Sequence, residues 1–333
     1  VDEHKNDTKR ILIDGCGRKI DYLRISVTDR CNIRCFYCMP GSGVPFIPVR
    51  HILRYEEMLE IADIFLEMGV KKIRITGGEP LIRRNILFLF RELSKRKTLS
   101  ELALTTNGTG LSEYADQLKD CGVKRINVSL DSLHSKTFKR ITGLDCHDSV
   151  LQGIELSRKL GLKIKINVVA MKGVNDSELL DFVKFGMEKD IDIRFIEVMP
   201  QVYNTPIAGH LFIPSEMIRQ KIKKMYSIKP VPSPDDSSTA SLYRVDGSSI
   251  TLGFISPLSS PFCSSCNKLR LMPNGWLKMC LFGDSGINLK TLLDQKMDRE
   301  KIKEKIKEAV LLKPAKHNLD KEKVNLIMHK VGG

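Results

Sequence analysis

The sequence predicts an α/β protein built on a partial, TIM-like (β/α)6 barrel, followed by a smaller C-terminal domain. Three observations lead there. Six short runs rich in Ile, Val and Leu recur through the first two thirds of the chain; segments of helical period separate them; and polar motifs directly follow nearly every run.

The six runs are Tyr22–Val27, Lys72–Thr76, Glu101–Thr105, Arg125–Ser129, Lys163–Val169 and Asp192–Glu197, each with the composition of a buried parallel strand. Between them, YEEMLEIADIFLEMG sets Met58, Ile61, Ala62, Phe65 and Leu66 on one helical face. LSEYADQLKDCG, SVLQGIELSRKLG and DSELLDFVKFGMEKD follow the same period. Gly69, Gly122 and Gly161 read as the glycines that end helices, and Ser112, Ser149 and Asp176 as N-caps. Parallel strands joined by helices need right-handed crossovers, which leaves a doubly wound sheet or a barrel. Cys31–Cys38, Gly77–Pro80, Thr106–Gly108, Asp131 and Met199 all fall just after strands. A barrel rim brings the ends of all its strands to one ligand, whereas an open sheet brings only those at its switch point. Beyond Pro200 the chain turns rich in Pro, Gly and Ser, VPSPDDSSTA reads as an exposed loop, and SLYRV, SITLGFI and GWLKMC are short β-like runs. Charged amphipathic helix and an extended KVGG tail follow. This places a barrel domain at 1–225 and a second domain at 226–333.

With 333 residues, 42% of them hydrophobic, the chain can bury a large core. Its 54 Lys and Arg against 40 Asp and Glu give a net charge of +14, which favours anionic partners such as nucleotides, RNA or acidic surfaces. No run of about 18 apolar residues exists, so no membrane span is expected. The polar start VDEHKNDTKR lacks the apolar centre of a signal peptide. Nine cysteines, six of them in two tight groups, read as metal ligands in a reducing compartment rather than as a disulfide framework.

CNIRCFYC spaces Cys31, Cys35 and Cys38 as C-x3-C-x2-C. Three thiolates on a four-iron cube leave one iron with an open position, which a catalytic cluster needs. Zinc is the rival, but it prefers four protein ligands, and only His51, near a helix start, stands close. In TGGEP, Gly77 and Gly78 permit close backbone approach and exposed N–H groups, while Glu79 can accept from a ligand amine. Thr105 and Ser129 end strands where their hydroxyls could bond a sugar or an aminoacyl group. Arg24, Arg74 and Lys165 sit inside strands, where a buried cation needs a partner. Strand parity sets Arg24 with Ser26, Arg74 with Thr76, and Lys165 with Lys163 and Asn167. Inward-facing, they form either an anion site fit for a triphosphate or an internal salt-bridge layer. Cys263, Cys266 and Cys280 make a second set, C-x2-C-x13-C, suited to another cluster with an open iron or to zinc with a distant ligand.

The C-x3-C-x2-C loop after a first strand, with Tyr37 before its last cysteine, resembles the radical S-adenosylmethionine superfamily. Taken with TGGEP, FCSSCNKLRL, CLFG and the terminal Gly-Gly, the chain resembles the GTP 3′,8-cyclase family of molybdenum cofactor biosynthesis over nearly its whole length. The resemblance implies two [4Fe–4S] clusters. Cys31, Cys35 and Cys38 would hold the one that cleaves S-adenosylmethionine to a 5′-deoxyadenosyl radical, and Cys263, Cys266 and Cys280 the one that receives GTP. It implies S-adenosylmethionine contacts from Tyr37, Gly77, Gly78, Glu79, Ser129 and Met199, and GTP contacts from Arg24, Arg74, Thr105, Lys165, Lys268 and Arg270. Gly332 and Gly333 would enter the cavity and assist the radical steps. The expected product is (8S)-3′,8-cyclo-7,8-dihydroguanosine 5′-triphosphate, passed to a cyclic pyranopterin monophosphate synthase. An electron donor, protein or small molecule, a possible homodimer, no membrane or nucleic-acid partner, and a cytoplasmic location (the mitochondrial matrix in a eukaryote) complete the expectation. The family places two arginines where this chain has Lys268 and Arg270; Lys keeps the charge but loses the bidentate fork. The competing readings are a radical enzyme acting on RNA or a peptide, and a zinc-stapled nucleic-acid-binding protein.

Overall fold

Along the first six strands, inward-facing positions alternate with residues that pack outward and are apolar but for Thr106 and Glu197 at two strand ends, and this alternation fixes the architecture. The computed structural model describes residues 11–39, 45–199, 209–233, 239–317 and 328. Strands β1 (Tyr22–Ser26), β2 (Lys72–Thr76), β3 (Glu101–Thr106), β4 (Arg125–Ser129), β5 (Lys163–Ala170) and β6 (Asp192–Glu197) pair in parallel and in sequence order. Leu23, Ile25, Ile73, Ile75, Leu104, Ile126, Val128, Ile166, Val168, Ile193 and Phe195 are buried completely on the helix-covered face. Burying each such side chain contributes roughly 1.5–3 kcal/mol relative to exposure.

The helices that cover this face are α1 (Tyr55–Glu67), α2 (Ile86–Ser94), α3 (Leu111–Asp120), α4 (Ser135–Thr142), α5 (His147–Lys159) and α6 (Leu179–Lys189). Gly69, Gly122 and Gly161 end α1, α3 and α5 with φ of 93°, 74° and 81°, as read from the sequence. The expected N-caps are corrected. Gly110, Cys146 and Glu178 occupy those positions in place of Ser112, Ser149 and Asp176, none with a capping side chain. Asp176 instead accepts from the Gly173 N–H at 2.8 Å, bracing the loop ahead of α6. Helix α2 was hidden by its near-continuous apolar run ILFLF, and α4 by its brevity.

Residues after the parallel strands extend the same sheet at both edges. Strands β7 (Ile228–Val231), β8 (Ser241–Val245) and β9 (Thr251–Ile255) form an antiparallel meander whose β9 joins β6 in parallel. Strand β10 (Lys268–Leu271) joins β1 in parallel, and β11 (Trp276–Lys278) and β12 (Gly286–Asn288) continue outward. The sheet order is β12-β11-β10-β1-β2-β3-β4-β5-β6-β9-β8-β7. Inward residues of all six parallel strands line one cavity, so the sheet wraps around it as a partial barrel, with β9 and β10 flanking the opening. After α7 (Ser215–Lys223) and α8 (Leu289–Asp294), helix α9 (Arg299–Leu311) packs near β12 and delivers the chain back toward this opening. No helix among the described residues is long and apolar enough to cross a membrane.

Candidate functional site

The cavity has a volume of about 620 Å³ and is lined from β1 to β6, from β10 and from the C-terminal segment. Both three-cysteine sets open into it, and none of the nine cysteines is in a disulfide.

The first set lies on the loop that leaves β1. Its turn is closed by the Cys38 and Met39 N–H groups donating to the Cys35 carbonyl, both at 2.9 Å. The loop is pinned to the end of α4 by Arg34 N–H to Thr142 O at 2.8 Å and Phe36 N–H to Ile141 O at 3.1 Å. Tyr37 donates to the buried Asp131 carboxylate at 2.6 Å, and the Asn107 amide lies 3.6 Å from the Cys31 sulfur. Burial pushes the Cys35 thiol well up, and Asp131, Cys38 and Cys31 push in the same direction. Burial also raises Cys31. Three ionised thiols therefore fit this corner only around a compensating positive group, and an iron-sulfur cluster supplies one. Among the described residues no three Cys, His, Asp or Glu side chains converge as a single metal ion requires; a cluster with one iron per thiol does not need that convergence.

The Gly-Gly of TGGEP has a different local reason from the one expected. A Cβ on Gly77, at φ 146°, would meet the Thr28 carbonyl at 2.5 Å, and one on Gly78 the Arg30 carbonyl at 2.2 Å. The Gly78 N–H is not exposed; it donates to Thr28 O at 2.7 Å, and the Glu79 N–H to Arg30 O at 2.8 Å. The glycines thus let the β2 exit press against the backbone entering the first cysteine loop. Gly77 and Gly78 line the cavity, whereas Glu79 lies fully buried behind its wall. Its carboxylate accepts from Asn107 N–H at 2.6 Å, Thr106 Oγ1 at 2.7 Å and Leu81 N–H at 3.0 Å, and burial raises it to about 7.

Arg24, Arg74, Thr105, Lys165, Lys268 and Arg270 all line the cavity, as do Tyr37, Ser129 and Met199. The strand ladders align Arg270, Arg24 and Arg74 in one row across β10, β1 and β2. Adjacent strands lie about 4.8 Å apart, so these like charges repel. Burial, then Arg270, holds Arg24 well below its ordinary range. Burial lowers Lys268 to about 8 and Arg194 to about 10. A dense buried cation row is relieved by an anion. Arg74 is oriented by the Tyr22 hydroxyl, the Leu104 carbonyl at 3.0 Å and Thr105 Oγ1 at 3.4 Å. Ion pairs run through the same lining: Glu101 serves both Arg125 and, at 3.9 Å, Arg74, and Lys165 pairs with Asp192 at 2.5 Å. The two readings of the strand cations therefore coexist, with more cations than carboxylates among the strand residues that line the cavity.

Cys263, Cys266 and Cys280 line the same cavity. Burial alone would raise Cys266, but the charge of Lys313, the N–H of residue 268 and the charges of Lys268 and Arg270 hold it below the ordinary thiol range. This donor set is electropositive and favours ligating thiolates. Met199 and Met328 pack against Phe282 at the cavity side. Gly332 and Gly333 lie outside the described residues.

Several lining residues were missed. Arg194 shares the signature of Arg24, a cation inside a strand with inward parity, and its Nε has no hydrogen-bond partner among the described residues. The same holds for Asn127 and Asn167 at Oδ1. Lys313 and His317 gave no signal, because their segment reads as mixed-charge surface.

Comparison with known proteins places the chain among two matched families. The profile of the Radical SAM superfamily matches residues 25–186, and that of Molybdenum Cofactor Synthesis C matches residues 191–319. The GTP 3′,8-cyclase of Peptoclostridium acidaminophilum is 45% identical over 98% of this chain and 100% of its own length. That of Petrotoga mobilis is 42% identical over 93% and 96%. Among solved structures, Streptococcus suis SuiB bound to precursor peptide SuiA superimposes with a TM-score of 0.63 at 17% identity, covering 97% of this chain and 76% of that one. SuiB bound to S-adenosylmethionine gives 0.57 at 16% identity over 90% and 70%. At such identity the SuiB likeness speaks to fold alone.

Proposed function

This chain belongs to the GTP 3′,8-cyclase family of radical S-adenosylmethionine enzymes, and from that membership we infer that its cavity converts GTP to (8S)-3′,8-cyclo-7,8-dihydroguanosine 5′-triphosphate in molybdenum cofactor biosynthesis. The supporting observation is that two three-thiol sets and one row of cations face a single cavity.

Cys31, Cys35 and Cys38 would hold one [4Fe–4S] cluster and Cys263, Cys266 and Cys280 the other. When bound, the first cluster with S-adenosylmethionine supplies the 5′-deoxyadenosyl radical that takes hydrogen from C3′ of the GTP ribose, and the second supplies an open iron for the guanine. The protein's own work is positional. Tyr37, Gly77, Gly78, Ser129 and Met199 would line the S-adenosylmethionine side, with Glu79 shaping it from behind through Thr106 and Asn107. Arg24, Arg74, Lys268 and Arg270, joined by Thr105, Lys165 and Arg194, would take the triphosphate. A phosphate–cation contact at about 4 Å contributes on the order of 4 kcal/mol at an effective dielectric near 20, before desolvation. Anchoring GTP at both ends aims its ribose, and aim decides which hydrogen a non-selective radical removes. Met199, Phe282 and Met328 close the side with apolar surface, and Gly332 and Gly333 would assist the radical steps.

The reading extends to a cytoplasmic enzyme that forms a homodimer and takes electrons from a donor protein or small reductant. It would hand its product to a cyclic pyranopterin monophosphate synthase. The test is anaerobic incubation with GTP, S-adenosylmethionine and a strong reductant, with product analysis. Cyclised nucleotide together with 5′-deoxyadenosine is the expected outcome. A Cys31/Cys35/Cys38→Ala protein that still formed 5′-deoxyadenosine would sink the assignment of the first set.

A further inference from the structure

Two buried cations from opposite ends of the chain hold all three segments that carry the second cysteine set. Lys313, only 4% exposed, lies just beyond α9. Its Nζ donates to the Met279 carbonyl at 2.6 Å and the Lys268 carbonyl at 2.9 Å, and lies 3.6 Å from the Cys266 sulfur. Met279 directly precedes Cys280, and Lys268 stands two residues after Cys266. One ammonium therefore ties together the backbones that present Cys266 and Cys280. Arg18, in the N-terminal hairpin closed by the Ile13–Lys19 bridge, completes the arrangement. Its Nη1 donates to the Cys263 carbonyl at 2.6 Å. Its Nη2 donates to the Pro314 carbonyl at 2.8 Å and the Lys313 carbonyl at 3.5 Å. Asp14, fully buried at its side chain, neutralises Arg18 at 2.6 Å.

The two cations differ in one respect. Arg18 has a carboxylate; among the described residues Lys313 has none, and its contacts are two carbonyls and a sulfur. A buried ammonium needs an opposing charge, and the Cys266 sulfur, negative when it ligates, is the one in reach.

We propose that Lys313 and Arg18 are positioning residues of the second metal site, Lys313 both bracing its backbone and donating to the Cys266 thiolate, so that the site is assembled only when the N-terminal hairpin and the C-terminal segment have met. The proposal rests on the reading of Cys263, Cys266 and Cys280 as cluster ligands. Hydrogen bonds to a cluster sulfur stabilise the more negative, reduced state and so raise the reduction potential. Partners outside the ligand shell change metal affinity by roughly ten- to a hundredfold.

The test uses full-length protein with Cys31, Cys35 and Cys38 changed to Ala, so that any reconstituted cluster is the second one. Lys313→Met in this background should lose iron to a chelator roughly tenfold faster or more, with its reduction potential shifted negative. Lys313→Gln, which keeps a donor but no charge, retains the fold if Met does not; its potential should also shift negative. Arg18→Met should raise the rate of iron loss with a smaller change in potential, since it reaches Cys263 only through the backbone. Lys313 variants that match the background protein in both iron retention and potential overturn the proposal. A background protein that binds no iron overturns it too, and in that case the two-cluster reading falls first, which the unsubstituted Lys313 control reveals.

Discussion

Arg270 stands directly across the β10–β1 ladder from Arg24, so a cation from the C-terminal segment and one from the first strand share a single row facing the cavity. Parallel pairing fixes this relationship through backbone hydrogen bonds, not through side-chain attraction, which between two guanidinium groups is negative. The row is assembled against its own repulsion and is relieved when an anion arrives.

Replacing Arg270 by Ala should therefore weaken GTP binding by roughly ten- to a hundredfold, the loss of one charged hydrogen-bonding contact. Both clusters should stay in place, because Arg270 lies on β10 and is not a ligand. Calorimetric GTP titration with iron content as control checks this, and an unchanged affinity would put the triphosphate elsewhere.

Glu79 predicts a pH dependence. Burial raises its carboxyl to about 7 from an ordinary 4.5, so between those values the folded state holds a proton that the unfolded chain has lost. Its contribution to stability is present below about pH 4.5 and fades as pH rises through 7, by on the order of 3 kcal/mol. Asp131, raised to about 6 from 3.8 by burial, acts with the same sign. Denaturant unfolding of the cofactor-free Glu79→Gln protein should show about a third of the parental fall in stability between pH 5 and 7.5. An unaltered slope would contradict the assignment.

A methyl group on Gly78 has no room, since the Arg30 carbonyl carbon and oxygen would lie 2.6 and 2.2 Å away. Both are backbone atoms, so the Thr28–Arg30 chain must move, and Cys31 moves with it. Gly78→Ala should cost about 1–3 kcal/mol in stability and lower iron in the first site while sparing the second. Full cluster content with normal 5′-deoxyadenosine yield would show that the loop yields more easily than its packing implies.

Deleting Gly332 and Gly333 should leave S-adenosylmethionine cleavage largely intact and reduce the cyclised nucleotide. Met328, a few positions before the two glycines in sequence, lines the cavity. Ratios of 5′-deoxyadenosine to cyclised product, compared between truncated and full-length protein, decide it; equal ratios would make the tail dispensable.

The parity of Arg24 and Arg74 could be read from the sequence because cations at alternate positions among aliphatic residues fall on one face of a strand. Arg194 carries the same pattern in DIRFIE and went unread; in the structure Asp192, on the same face, pairs with Lys165. Strand β10 was invisible. In KLRL two cations alternate with two leucines, a pattern too short for periodicity, and only pairing with β1 makes it a strand. Gly77 and Gly78 were recognised as special, yet the backbone that forbids their side chains lies in a different loop, contact information that no local window contains. Lys313 shows the limit most plainly, since its neighbours in sequence are solvated and its neighbours in space are Lys268, Met279 and Cys266.

The way β9 seals β6 and β10 seals β1 has a consequence during synthesis. A nascent chain that has left the ribosome only as far as α6 and β6 owns six parallel strands and two unpaired sheet edges. Such edges are templates to which other polypeptides add. Residues 251–271 carry the seal for both, so both edges stay open until one late stretch of translation covers them together. A premature stop after β6 and before residue 251 would then yield an adhesive product that captures its neighbours, a harm distinct from the loss of an enzyme.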